Sequence, residues 1–179
     1  LPLLSCGAEG PYPDLLPIGT IQGVTPSEGD ATKFRSRFHG EEVTVRGVAH
    51  SLLRWETGEG HDAYGVMIQN TPDERDGDPA TSDGIFLYTG RQPVLPRRPQ
   101  GDVRVRIGDI LTVRGTVNER WGQTELQDAV VLDHTAGGDV DRLAPPVDLN
   151  LPEAFSQRER LLESLEGMRV RLPADSVAV

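Results

Sequence analysis

The sequence has little cysteine, lysine or aromatic content: one cysteine, one lysine and nine aromatic residues among 179. A lone cysteine excludes an intrachain disulfide and any zinc site built from several cysteines. No apolar run approaches the roughly 20 residues that a membrane-spanning helix needs, so the body of the chain is predicted to be soluble. Few aromatics predict a modest, mainly aliphatic core. The 20 glycines and 14 prolines are too many turn formers for a helical bundle.

The charge is acidic overall but unevenly distributed. The formal net charge is −10 at pH 7, which excludes a uniformly basic coat for nucleic acid. Between positions 91 and 120, however, seven arginines stand against three acidic residues: Arg91, Arg97, Arg98, Arg104, Arg106, Arg114 and Arg120. This basic stripe has two interpretations, a phosphate-binding track or the solvent-facing side of a strand. Any binding to nucleic acid is predicted to be weak and strongly salt-dependent.

The first seven residues have the character of an export signal. Two leucines and a serine precede Cys6, an order that resembles the lipobox of bacterial lipoproteins, in which the cysteine is acylated. The alternative is an ordinary thiol behind an arbitrary chain boundary. We therefore predict an extracellular or cell-surface location, and leave the lipid anchor on Cys6 open.

Period-two alternation predicts five short strands. They cover residues 43–48, 64–69, 84–89, 103–117 and 124–132. The fourth is the clearest, because Val103, Val105 and Ile107 alternate with arginines. A short extended piece is expected at 18–21. Near the end, an amphipathic helix is predicted over 153–165, with its apolar stripe packed on the strands, followed by one more strand over 168–172.

This pattern predicts a mainly all-β fold. Five strands with a bend-forming glycine in the first and a long, loop-interrupted middle point to a five-stranded OB-fold Greek-key barrel, with a short C-terminal helix and an extended N-terminal leader. A small β-sandwich is the alternative. The predicted divisions are a signal remnant or linker over 1–25, the barrel over 26–145, and over 146–179 a connector helix with the first strand of a following, truncated module.

The expected ligand-binding cleft of such a barrel contains both tryptophans. The loops after strands 1 and 4 would be 52–62 and 118–123, and each contains a Trp next to an Arg. Trp offers a stacking plane for a base and Arg a phosphate contact. The alternative is that each Trp plugs one end of the barrel. The candidate nucleic-acid-binding residues are Arg54, Trp55, Tyr64, Tyr88, Arg104, Arg106, Arg120 and Trp121.

Evidence for a metal or for catalysis is weaker. Four aspartates in a glycine-containing loop, Asp73, Asp76, Asp78 and Asp83, offer oxygen ligands suited to Ca²⁺, although their spacing does not match an EF-hand. The alternative is a solvated, turn-rich loop. No histidine pair with zinc-ligand spacing, nucleophile elbow or phosphate-binding P-loop occurs in the sequence. The chain alone is therefore not expected to be an enzyme, and we predict no catalytic residues.

Four stretches resemble a known family. Residues 76–88 (DGDPATSDGIFLY), 18–23, 108–117 and 165–170 are together similar to the OB-fold region of large secreted bacterial nucleases. In these proteins OB-like domains precede a catalytic domain of the endonuclease/exonuclease/phosphatase superfamily. Ser82-Asp83 is followed here by Gly84 and not by the histidine of that superfamily's Ser-Asp-His motif, so the resemblance does not extend to catalysis.

The resemblance implies a non-catalytic module that holds single- or double-stranded nucleic acid for a covalently linked downstream nuclease domain. Mg²⁺ or a similar ion would be needed only by that absent domain. Two other hypotheses remain open from the sequence: a structural or interaction spacer in a bacterial surface lipoprotein, and a glycan-binding module.

Overall fold

A computed structural model describes residues 11–22 and 35–173. Its strands are β1 (Leu15–Leu16), β2 (Glu42–Glu56), β3 (Asp62–Gln69), β4 (Gly84–Gly90), β5 (Ile110–Arg120), β6 (Gln123–Thr135), β7 (Val147–Asp148) and β8 (Val170–Arg171). Its helices are α1 (Ile18–Ile21), α2 (Val140–Leu143) and α3 (Phe155–Glu163), with a 3₁₀ turn at Pro72–Glu74. The predicted acylation of Cys6 lies outside the described residues.

Five of the strands close into a barrel. They run in the order β2-β3-β4-β6-β5, and β5 pairs back onto β2. Every neighbouring pair is antiparallel except β4 and β6, which run parallel. This closed arrangement of five strands is the one expected of an OB-fold, so the predicted fold class is confirmed.

The longest strand, β2, pairs with two different strands of the barrel. Its first half pairs with β5 from Glu42 to Val48, and its second half pairs with β3 as far as Glu56. A bulge between Ala49 and Ser51 separates the two halves. At the bend, a Cβ on Gly47 would lie 3.1 Å from the carbonyl oxygen of Gln69, so a side chain there would be crowded. Bending by a glycine and a bulge lets one strand close a small barrel.

The core is aliphatic, as the composition predicts. Alternate residues of the barrel strands point inward and are fully or nearly fully buried, among them Val45, Val66, Ile68, Ile85, Leu87, Leu111, Val113, Leu126 and Val131. Two further core residues, Ile18 and Ile21, come from the segment predicted to be a leader or linker. The boundaries of the predicted domains stay a prediction.

The extended piece expected at 18–21 is wrong, because these residues form the single helical turn α1. The amide of Gln22 donates to the carbonyl of Ile18 at 3.1 Å, and the amide of Ile18 donates to the Asn70 side chain at 2.8 Å. One turn of helix brings Ile18 and Ile21, three residues apart, to the same face. Both side chains can then enter the core.

The segment predicted as the clearest strand is not one. Within 103–107 only Val103 makes a bridge, to Leu95, and β5 begins at Ile110. Val103 and Val105 are buried, whereas Ile107 is 54% exposed. The segment ends in a turn at Ile107-Gly108, after which the Asp109 carboxylate accepts the amide of Arg106 at 3.0 Å. The alternating burial here belongs to an extended segment that packs against the barrel without pairing along its length with a neighbouring strand.

The C-terminal helix forms, but its predicted packing is wrong. No residue of α3 is buried, and Phe155 is 73% exposed. The segment after α3 contacts the barrel instead. The hydroxyl of Ser82 donates to the carbonyl of Glu166, and the amide of Arg169 donates to the Gln69 side chain at 2.9 Å. The strand predicted over 168–172 shortens to β8, which pairs with β7.

No helix in the described ranges 11–22 and 35–173 is long and apolar enough to span a membrane.

Candidate nucleic-acid interface

An aromatic cleft of about 240 Å³ lies on the outer face of the barrel. The five barrel strands and the turn between β5 and β6 contribute to it, β5 through its last residue, Arg120. We call it the aromatic cleft and define it by its lining residues, Leu53, Trp55, Met67, Phe86, Tyr88, Arg120, Trp121, Gln123 and Glu125. It lies where an OB-fold is expected to bind its ligand.

Strand alternation places three rings of the cleft together. Phe86 and Tyr88 are two residues apart on β4, so both project outward between the inward-facing core residues. The Trp55 ring from β2 lies 6.0 Å from the Phe86 ring and 6.1 Å from the Tyr88 ring, both tilted. A Cβ on Gly65 would come within 2.1 Å of the Phe86 ring. Glycine at this position therefore lets Phe86 lie across β3.

The turn between β5 and β6 presents the second tryptophan to solvent. Trp121 and Gly122 have φ of 54° and 83°, the positive values that a two-residue type I′ hairpin requires at both positions. The Trp121 side chain is 92% exposed, and Trp55 is 37% exposed on the outer face. Neither tryptophan therefore plugs the barrel, and that alternative is wrong.

One cation bridges two of the rings. The Arg120 guanidinium lies 4.6 Å from the centre of the Trp121 ring and 5.9 Å from that of Tyr88. Both distances are within the range of a cation–π interaction. Arg120 thus holds its charge at the mouth of the aromatic cleft, beside the surfaces on which a base would stack.

The cleft also contains a buried carboxylate. Glu125 on β6 is 2% exposed and is the register partner of Phe86 on β4. Its Oε1 accepts hydrogen bonds from the Asn118 side chain at 3.1 Å and from the Gln127 side chain at 2.8 Å. Sequence reasoning missed Glu125, because nothing in its local sequence shows that β4 and β6 pair.

The remaining predicted residues lie elsewhere. Arg54, Tyr64, Arg104 and Arg106 line a second cleft of about 320 Å³, together with Leu52, Leu53, Val66 and others. Arg54 and Trp55 are neighbours on a strand, so their side chains point to opposite faces. The eight predicted residues therefore divide equally between two clefts.

Arg54 is held by an acidic neighbour. Its guanidinium contacts Asp62 at 2.8 Å, and the Tyr64 hydroxyl donates to the same carboxylate at 3.4 Å. The hydrogen bond from Arg54 lowers the pKa of Asp62. The predicted loop over 52–62 is mostly strand, because β2 continues to Glu56 and β3 begins at Asp62.

The arginines of the basic stripe lie in different surroundings. Arg114 pairs with Asp14 at 3.0 Å, and Arg97 lies 3.8 Å from Asp133. Arg120 is at the aromatic cleft and Arg104 and Arg106 are at the second cleft. A phosphate track along all of them stays a prediction.

Three of the four aspartates of the loop have hydrogen-bond or ion-pair partners in the described structure. Asp83 lies 3.3 Å from Arg75, and burial raises the pKa of Asp83. Asp76 accepts a hydrogen bond from the Thr81 hydroxyl at 3.1 Å, and Asp78 accepts the amide of Ala80 at 2.9 Å. Among the described residues no group of three or more His, Cys, Asp or Glu side chains is arranged to hold a metal ion. The Ca²⁺ site thus gains no support and stays a prediction.

The sequence-based candidates also omit two cleft residues, Phe86 and Leu53, although the strand pattern could have indicated both. Each lies two residues from a residue that was predicted, Phe86 from Tyr88 and Leu53 from Trp55. Once a strand is assigned, the i±2 neighbours of a candidate residue lie on the same face and belong to the same surface.

Comparisons with known proteins yield weak structural similarity. No family model matches the sequence, and no curated protein matches it. One similar solved structure is a "putative nucleic acid-binding lipoprotein" from Klebsiella pneumoniae subsp. pneumoniae MGH 78578. The two chains are 20% identical, the match covers 54% of this chain and 73% of the other, and the TM-score is 0.39. At this TM-score the similarity does not establish a common fold or function.

Proposed function

We propose that this chain is a non-catalytic OB-fold module that binds single-stranded nucleic acid in the aromatic cleft. The observation that carries the proposal is the arrangement of Trp55, Tyr88 and Trp121 around one opening with Arg120 between two of the rings. Proteins that bind single strands combine aromatic stacking surfaces with cations that contact the backbone. The cleft supplies both within one site.

The preference for single strands follows from how a base would enter. An unpaired base has free faces that can stack on Trp121, whereas the bases of a duplex already stack on one another. Few cations line the aromatic cleft, since Arg120 is the one Arg or Lys among its lining residues in the described chain. Stacking, rather than a dense contact with phosphates, therefore supplies most of the binding free energy in this proposal.

The place of the module in a larger protein is part of the same proposal. We propose that it holds substrate for a downstream, metal-dependent nuclease domain in an exported protein. The support is the resemblance of residues 76–88 and 165–170 to secreted nucleases. In the described structure both stretches meet, because Ser82 donates to the carbonyl of Glu166.

Both tryptophans of the chain line the cleft, so their fluorescence reports directly on binding. We expect a single-stranded oligonucleotide to quench tryptophan emission and to raise the anisotropy of a label on the oligonucleotide, more strongly at low salt. Combining Trp55→Ala with Trp121→Ala should abolish the anisotropy change. Phe155→Ala, which removes an exposed aromatic ring on α3, is the matched control and should leave it unchanged.

Two outcomes would contradict the proposal. Binding of an oligosaccharide that is insensitive to salt, without binding of an oligonucleotide, would favour the glycan-binding hypothesis. Failure to bind either ligand, with the fold intact by circular dichroism, would favour the structural spacer.

A further inference from the structure

The aromatic cleft contains a carboxylate, that of Glu125, whose burial costs free energy unless it accepts hydrogen bonds. Glu125 is 2% exposed yet lines the cleft, next to Phe86 on the paired strand. A buried carboxylate needs hydrogen-bond donors, and an ionised one can only accept. Its partners therefore determine what a ligand in the cleft must offer.

The surrounding amides fix which oxygen is available. Within the described structure, the side chains of Asn118 and Gln127 both donate to the same oxygen, Oε1. These two bonds, from residues of β5 and β6, fix the orientation of the carboxylate. They leave Oε2 as the oxygen that can accept a hydrogen bond from a ligand.

From this geometry we propose that Glu125 makes the aromatic cleft selective for an unpaired base that carries an exocyclic amino group. The inference rests on the proposed function and narrows its ligand. A carboxylate accepts from the amino group of cytosine, whereas the carbonyl at the same ring position of thymine presents a second acceptor and is repelled. The cleft volume of about 240 Å³ is below the usual range for drug-sized ligands, which suits one ring rather than a longer segment.

The first test compares oligodeoxycytidine with oligothymidine of equal length on the wild-type chain, by anisotropy. We expect oligodeoxycytidine to bind about 5- to 100-fold more tightly, the discrimination typical of one specific base contact. A second comparison replaces cytosine by pyrimidin-2-one, which lacks the 4-amino group; this base should also bind more weakly than cytosine, but less weakly than thymine because it adds no second acceptor. This comparison needs no variant, so it does not depend on any variant folding.

The decisive variant is Glu125→Gln. Because Asn118 and Gln127 both donate to Oε1, the amide oxygen should take that position and the amide NH₂ should replace Oε2. The cleft then offers a donor instead of an acceptor, and the preference should disappear or reverse toward thymine. Glu42→Gln, which removes an exposed charge on the far half of β2, corrects for the change in net charge and should keep the cytosine preference.

The outcomes separate the two proposals. Equal binding of both oligonucleotides to the wild type would overturn the selectivity while the proposed function stands. A cytosine preference that survives in Glu125→Gln would overturn the role of Glu125. If neither oligonucleotide binds, both the proposed function and this inference fail.

Discussion

At the scale of single residues, the exposure of Trp121 gives the strongest support for the proposed binding site. Apart from its contact with Arg120, a large ring that is 92% exposed on a turn with φ of 54°, a backbone conformation that favours glycine, adds little to the stability of the free protein. Trp55 is different, because its ring packs against Phe86 and Tyr88 and covers part of the barrel surface.

The two tryptophans should therefore respond differently to substitution. Trp121→Ala should weaken oligonucleotide binding by about 1–3 kcal/mol, the contribution of one stacked base, and lower the unfolding temperature little, since the ring's exposed contact with Arg120 is the interaction lost. Trp55→Ala should weaken binding and also lower the unfolding temperature, since it exposes Phe86. Anisotropy titration and thermal unfolding of the same samples check this, and a loss of stability in Trp121→Ala as large as that in Trp55→Ala would contradict it.

Gly65 controls the position of Phe86. A Cβ there would lie 2.1 Å from the ring, so Gly65→Ala should displace Phe86, narrow the aromatic cleft and destabilise the fold by about 1–3 kcal/mol. Chemical denaturation measures the free energy of unfolding, and the anisotropy titration measures how far the narrower cleft weakens oligonucleotide binding. Gly58→Ala is the control, because nothing lies within 4 Å of its added Cβ. Equal effects of the two substitutions would contradict the packing argument.

At the scale of elements, the segment after α3 fastens the C-terminal end of the described chain to the barrel. The Gly167 carbonyl lies 2.9 Å from the His50 ring nitrogen, and a Cβ on Gly84 would lie 2.4 Å from the Gly167 carbonyl carbon. Glu166 inserts beside β6, where its Oε1 accepts the amide of Thr124 at 2.9 Å. Burial raises the pKa of Glu166 to about 7, and the charge of nearby Glu119 adds to the effect.

This raised pKa predicts a specific pH dependence of stability. Since the folded state holds the Glu166 proton up to pH 7 and the unfolded state loses it near the ordinary value of 4.5, stability should fall as pH rises between these values. Glu166→Gln removes the effect and keeps an acceptor for Thr124. The free energy of unfolding of the variant should equal that of the wild type near pH 4 and exceed it by roughly 1–3 kcal/mol above pH 7.

Denaturant unfolding across this pH range measures the difference. His50, whose pKa is lowered by burial and by the charge of Arg169, titrates in both proteins and so cancels in the comparison. A difference between variant and wild type that is the same at every pH would contradict the prediction.

At the scale of the whole molecule, the proposed binding of nucleic acid should depend less steeply on salt than the sequence predicts, because Arg120 is the arginine of the basic stripe that lines the aromatic cleft. With Arg120 as the cation at the aromatic cleft, the slope of log K against log salt should be close to −0.7 to −1.4, the release of one or two counterions from a single strand. Arg120→Ala should reduce the magnitude of the slope by about 0.7. Titrations at several KCl concentrations measure it.

A steep slope would have a different structural meaning. If Arg54, Arg104 and Arg106 of the second cleft also contact phosphates, the slope should exceed about −2 in magnitude. Arg104→Ala would then reduce it, and the path of the strand would cross from one cleft to the other. A slope that Arg104→Ala does not change would confine binding to the aromatic cleft.

Local pattern was a good guide to strands and a poor guide to loops crossing the barrel. The alternation in residues 64–69 and 84–89 predicts β3 and β4 to within two residues, because each strand has one buried and one outward face. The same alternation over 103–107 misleads, since Val103 and Val105 are both buried although this stretch forms only the isolated bridge between Val103 and Leu95. Period-two burial shows which side chains face the core, and does not show whether the backbone is paired.

The sequence alone therefore determined the all-β class, the order of the strands along the chain and the presence of stacking residues beside arginines. Only the tertiary structure decided which of those residues share a site. Arg54 and Trp55 are adjacent in sequence but face different clefts, whereas Phe86 and Glu125 are distant in sequence and meet through the parallel pairing of β4 and β6. The physical reason is that alternation along a strand is local, while closure of the barrel, which brings distant faces together, depends on the packing of the whole core.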